Sequence, residues 1–81
     1  MVTVGGILPT LPSLRVVFGQ RLRAARESRG VSQEELARLA GFDRTYVSKI
    51  ERGQRNITVG TIERLAEALG VRPVELLVGR K

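Results

Sequence analysis

Neither cysteine nor histidine occurs among the 81 residues. Without cysteine there is no disulfide and no thiolate metal ligand, and without histidine the commonest general base and metal ligand is missing. Most enzyme mechanisms lose their main actors here, and no metal cluster or phosphate-binding loop is recognisable elsewhere. The expectation is therefore a non-enzyme with no cofactor, metal or small-molecule ligand. Tryptophan is also absent, leaving Phe18, Phe42 and Tyr46 as the only rings, so the core should be aliphatic. Long apolar runs are lacking too. Residues 1–12 carry no charge, but they have no basic start, and Gly5, Gly6, Pro9 and Pro12 break them well short of signal-peptide or membrane-span length. A cytoplasmic protein without a membrane partner is expected, with residues 1–12 as a flexible N-terminal arm that has no counterpart in any familiar pattern.

Eighty-one residues suffice for one compact domain and leave no room for a separate sensor. What the chain has in excess is positive charge: 14 Lys and Arg against 8 Asp and Glu, a formal +6 and a pI near 11.3. A polyanion is the partner class this balance favours.

Residues 13–81 read as helices throughout, with no strand signal and no internal repeat. After Ser13, a plausible cap, Leu14, Val17, Phe18, Leu22 and Ala25 form one helical stripe, opposite Arg21, Arg23, Glu27 and Arg29, until Gly30. Ser32 followed by Glu35 is a capping-box pattern, in which each side chain pairs a backbone N–H left free by the first turn, so a second helix starts at Gln33. Its face of Leu36, Ala37 and Ala40 ends at Gly41. Asp43 is placed to cap a third helix containing Val47 and Ile50, which Gly53 closes. Thr58 caps a fourth helix with the stripe Val59, Ile62, Leu65, Ala66 and Leu69 before Gly70, and Pro73 at a first helical position opens a short fifth ending near Val78.

Two short helices meeting across a glycine turn are the feature that carries function. Ala37 is small where the helices must cross, Gly41 allows a positive φ, and Val47 and Ile50 wedge the third helix against the first two. Arg44, Thr45, Ser48 and Lys49 are left on its outer face. Together Gln33, Ala37, Gly41, Val47, Ser48 and Ile50 resemble the helix-turn-helix of the family that includes phage lambda repressor, Cro and the Xre-type regulators. The resemblance covers roughly residues 16–78, with the motif at about 32–52. It implies an all-α, five-helix, lambda repressor-like DNA-binding domain with the motif in helices 2 and 3. The stretches Asp43–Ser48 and Glu51–Thr58 look more narrowly like the controller proteins of restriction-modification systems.

On that reading Arg44 offers a planar donor fork to guanine O6 and N7, unless it swings to a phosphate, and Thr45, Ser48 and Lys49 are further base-reading candidates. Tyr46 is expected to pack its ring on the domain and aim its hydroxyl at the DNA backbone or minor groove. Arg52, Arg55, Asn56 and Thr58 surround the start of the fourth helix, whose free amides and Gly60 suit a phosphate. The family resemblance adds Gln33 as a phosphate contact that braces the recognition helix, and Arg26 with Glu51 as a structural ion pair. Glu34 and Glu35 are no catalytic dyad, since neighbours on a helix point in different directions.

One recognition helix reads too few base pairs for useful specificity, which points to a homodimer on a palindromic operator. Val71, Val74, Leu77 and Val78 exceed what the core needs and are the expected dimer interface. The function implied is a transcriptional regulator of double-stranded DNA that represses, or activates by touching RNA polymerase. The alternative is an antitoxin-type protein that binds a toxin and represses its own operon.

Overall fold

The computed structural model describes residues 13–78, and the arm expected over 1–12 lies outside them. Five helices follow one another: α1 (Leu14–Ser28), α2 (Gln33–Ala40), α3 (Arg44–Glu51), α4 (Val59–Leu69) and α5 (Glu75–Val78), with no strand among the described residues. Their starts are set locally. Ser13, Ser32 and Thr58 each stand in extended backbone and accept an amide of the first turn, from Arg15, Glu35 and Thr61 respectively. Their ends are set by glycine: Gly41 and Gly70 take φ of 78° and 71°, a region other residues enter only at a cost.

Two capping expectations are corrected. The box at Ser32 is half formed, because the Glu35 carboxylate turns to Arg38 and leaves the Ser32 amide alone. Asp43 holds the N-cap position of α3, but its side chain makes no capping bond; only its carbonyl serves, accepting Val47 N–H at 3.2 Å. Pro73 also falls outside α5. The bonds from Glu75 to Arg72 and from Leu76 to Pro73 span three residues, a tight turn that delays the helix to Glu75.

α1 lies against α3 and α5, and α2 against α3 and α4. The core they enclose is Phe18 and Leu22, then Leu36, Ala37 and Ala40, Val47 and Ile50, Leu65, Ala66 and Leu69, and Leu76. It is aliphatic but for Phe18. The expected stripes of α1 and α4 fail only at their starts: Leu14 and Val59, each the first residue of its helix, are 65% and 72% exposed. They border an open apolar groove that also touches Ile57, Ile62 and Leu77.

The crossing of α1 over the end of α3 depends on Gly19. A Cβ there would run into the carbonyl oxygens of Ile50 and Glu51, the latter at 2.7 Å. On the far side of the motif Arg64 of α4 closes the α2 terminus, donating Nη2 to the carbonyls of Ala40 (2.9 Å) and Gly41 (3.2 Å) while its guanidinium covers the Phe42 ring.

α5 divides the expected dimer patch. Leu76, which the sequence reading passed over, is fully buried and pins α5 to the core; Val71 and Leu77 lean partly onto it, and Val74 and Val78 stay exposed. No helix among the described residues is long and apolar enough to cross a membrane.

Candidate nucleic-acid interface

α3 begins immediately after the Gly41–Asp43 turn and buries Val47 and Ile50 on its inner side. The opposite side carries Arg44 and Thr45, both exposed, with Ser48 and Lys49 half-exposed one turn on. Arg44 has no ion-pair partner among the described residues, so its guanidinium fork is not committed to the fold.

Two clefts run along the flanks of this helix. One, toward α1 and α2, is lined by Arg23, Arg26, Arg44 and Arg52 with Ser32, Gln33 and Ser48, and holds Glu34 and Glu51 against those four arginines. The other, toward the loop before α4, is lined by Gly41, Phe42, Asp43, Thr45, Tyr46, Lys49 and Arg55, two cations to one carboxylate. α3 is thus a polar ridge between two basic furrows. A duplex major groove, about 12 Å wide between its phosphate walls, has the inverse relief.

The ridge is held from beneath by a buried charge cluster. Arg26 Nε and Nη2 donate to the two Glu51 oxygens at 2.7 and 3.1 Å, with side chains 10% and 3% exposed. Arg26 Nη1 also donates to the Val31 carbonyl at 2.8 Å, and Gln33 Nε2 to Glu51 Oε1 at 3.0 Å. The Glu51 hydrogen bond holds the Arg26 pKa above the ordinary arginine value, overcoming the opposing effect of burial. α1, the start of α2 and the end of α3 are thereby tied at one carboxylate. Gln33 braces α3 directly; one donor of its amide belongs to the fold.

The remaining candidates gather around the loop after α3. The Arg55 guanidinium lies over the Tyr46 ring, 4.8 Å from its centroid, and that ring meets Phe42 at 4.9 Å in a tilted pair. The Tyr46 hydroxyl faces Thr61 Oγ1 at 3.4 Å, which in turn is 3.2 Å from the capping Thr58 oxygen. Tyr46 therefore links α3 to the start of α4 and holds Arg55 at the furrow. Asn56 accepts a hydrogen bond from Arg15 Nη1 through Oδ1 at 2.8 Å, leaving its amide hydrogens to point elsewhere. Sequence reasoning had no means of finding Arg15 or Arg64, since each acts on a segment distant in the chain and carries no local pattern. No cluster of three or more potential metal ligands occurs among the described residues.

The helix-turn-helix family profile matches residues 22–76, spanning the motif, α4 and the start of α5. The chain belongs to the lambda repressor-like helix-turn-helix family. It is a DNA-binding transcriptional regulator closely related to restriction-modification controller proteins. Control protein C.BamHI of Bacillus amyloliquefaciens is 47% identical over 66 residues, 80% of this chain and 82% of that protein. The crystal structure of the controller protein C.AhdI from Aeromonas hydrophila superimposes with a TM-score of 0.75 at 55% identity, covering 76% of this chain and 94% of that one. A hypothetical transcription factor of Neisseria meningitidis is 47% identical over 76 residues, 94% of this chain and 72% of its own length.

Proposed function

We propose that the protein is a homodimer that binds a palindromic operator upstream of its own gene, one α3 per half-site, in the manner of an autoregulating restriction-modification controller. The observation that carries this reading is the α3 ridge: its outer side chains Arg44, Thr45 and Lys49 have no evident duty in the fold, and basic furrows flank it on both sides. In this reading Arg44, Thr45 and Lys49 meet base edges. Gln33, Arg55, Asn56, Tyr46 and Thr58 with the α4 amides hold phosphates, which sets register and affinity but not sequence preference. No cofactor or effector is required.

A gel-shift titration against the DNA upstream of the gene, with scrambled duplex as control and salt varied, tests it. Tight, salt-sensitive binding that saturates at two subunits per palindrome is expected, because each phosphate contact releases counterions on binding. Equal affinity for both DNAs would sink the operator reading. Arg44→Ala should relax preference at one base pair of each half-site by about fivefold or more, since a bidentate arginine–guanine pair discriminates by about 1–3 kcal/mol. Unchanged discrimination with the variant would remove Arg44 from base reading.

Recognition helices of a dimer must sit about 34 Å apart to enter successive grooves. Val74, in the turn before α5, and Val78, at its end, are 49% and 63% exposed and left free to meet a second copy, with Val71 and Leu77 half-buried beside them. Val74→Glu should give a folded monomer in sedimentation with weakened operator binding. A dimer that survived the change would move the interface off α5.

A further inference from the structure

Arg52 follows the last residue of α3 as its C-cap, a place from which an arginine would ordinarily reach a phosphate. Its guanidinium is instead drawn back along the helix. Nη1 donates to Ser48 Oγ, and Nε donates to Gln54 Oε1 at 3.3 Å. Ser48 lies one turn nearer the helix start, roughly 5.4 Å along the axis, so the cation is moved toward the half of α3 that enters a groove first.

Its direction around the helix agrees. At about 100° per residue, Arg52 falls roughly 80° from Arg44, between Ser48 at about 40° and Thr45 at about 100°. The buried Val47 and Ile50 lie on the opposite side, so Arg52 occupies the middle of the outer face. Its donors are also arranged for reading. Of the five guanidinium N–H groups, Ser48 and Gln54 take two, leaving one on Nη1 and both on Nη2. That remaining outer edge of the fork is the one that pairs with guanine O6 and N7.

We infer that Arg52 is a base-reading residue that selects a guanine in each half-site, with Ser48 and Gln54 as the residues that position its fork. Ser48, expected from sequence to read a base itself, gives one of its two acceptor positions to Arg52. The assignment rests on α3 being the recognition helix, and it moves Arg52 out of the phosphate-contact group.

The test compares full-length wild type, Arg52→Ala, Arg52→Lys and Ser48→Ala on operator duplexes in which each half-site base pair is substituted in turn, with a salt series on the intact operator. Thermal melts establish that the exposed substitutions leave the fold intact. Arg52→Ala and Arg52→Lys should both lose about tenfold discrimination at one G·C pair, because lysine keeps the charge and not the planar fork. Ser48→Ala should relax the same pair more weakly, and adding it to Arg52→Ala should change nothing further there. The salt slope should be unaltered. A uniform loss across the panel, rescued by lysine and accompanied by a salt slope lower by about one unit, would make Arg52 a phosphate clamp and overturn the assignment. So would Ser48→Ala relaxing a different base pair. A wild type blind to every substitution would overturn the operator reading and this assignment together, whereas a discriminating wild type with a uniformly weakened Arg52→Ala overturns this one alone.

Discussion

Glu51→Ala should unfold this protein far below the temperature at which the wild type melts. The carboxylate is 3% exposed and satisfies both forks of a guanidinium that is itself 10% exposed. Removing it strands the Arg26 charge against the core, and breaking one partner of such a buried pair costs about 3–5 kcal/mol. Domains of this size have roughly 5–15 kcal/mol in all, and each kcal/mol moves the midpoint by about 4–8 °C. The loss also frees the Gln33 amide, so the start of α2 comes adrift from the end of α3. Far-UV circular dichroism melts measure the effect, and a shift smaller than about 4 °C would show that the pair is not buried in solution. Replacing both partners with leucine should cost far less than Glu51→Ala, because no uncompensated charge remains. Loss of operator binding in the single variant then reports unfolding, and Glu51 is not a DNA contact.

Leu76→Ala should be the next most damaging change. Four residues of helix cannot persist on their own, so α5 exists because Leu76 is fully buried between its neighbours. Truncating such a leucine costs about 2–5 kcal/mol, the transfer of the lost methyls plus the cavity they leave. The loss should extend to the proposed protomer contact, since Val74 and Val78 ride on the same segment. Denaturant unfolding gives the first quantity and sedimentation the second. Leu76→Ala that melted like wild type would mean α5 is held by something other than this side chain. The contrast with Val74→Glu, expected to separate protomers without lowering the melting temperature, tells an anchor from a surface.

Much of this architecture is readable along the chain because the forces concerned act within a few residues. Ser13, Ser32 and Thr58 cap their helices through amides two or three residues on, and Gly41 stands where only the left-handed region will do. The outer face of α3 follows from the helical period once Val47 and Ile50 are taken as its inner side. Asp43 and Glu35 show where local logic stops: both are the right residue in the right place, yet Arg38 competes for one and the other leaves its N–H partners unmade. The Arg26–Glu51 pair joins residues 25 apart and was accessible only through family likeness.

Composition, charge and helical period thus determined an all-helical, basic domain and which side of α3 is left for a ligand. The packing of helices decided the rest: that α1 needs a glycine to cross the end of α3, that Arg64 closes α2, that Leu76 and not Leu77 is the anchor of α5, and that Arg52 lies back on Ser48. Those outcomes depend on where a side chain arrives after the chain has turned, and a pattern of residue types along the chain carries no information about that distance.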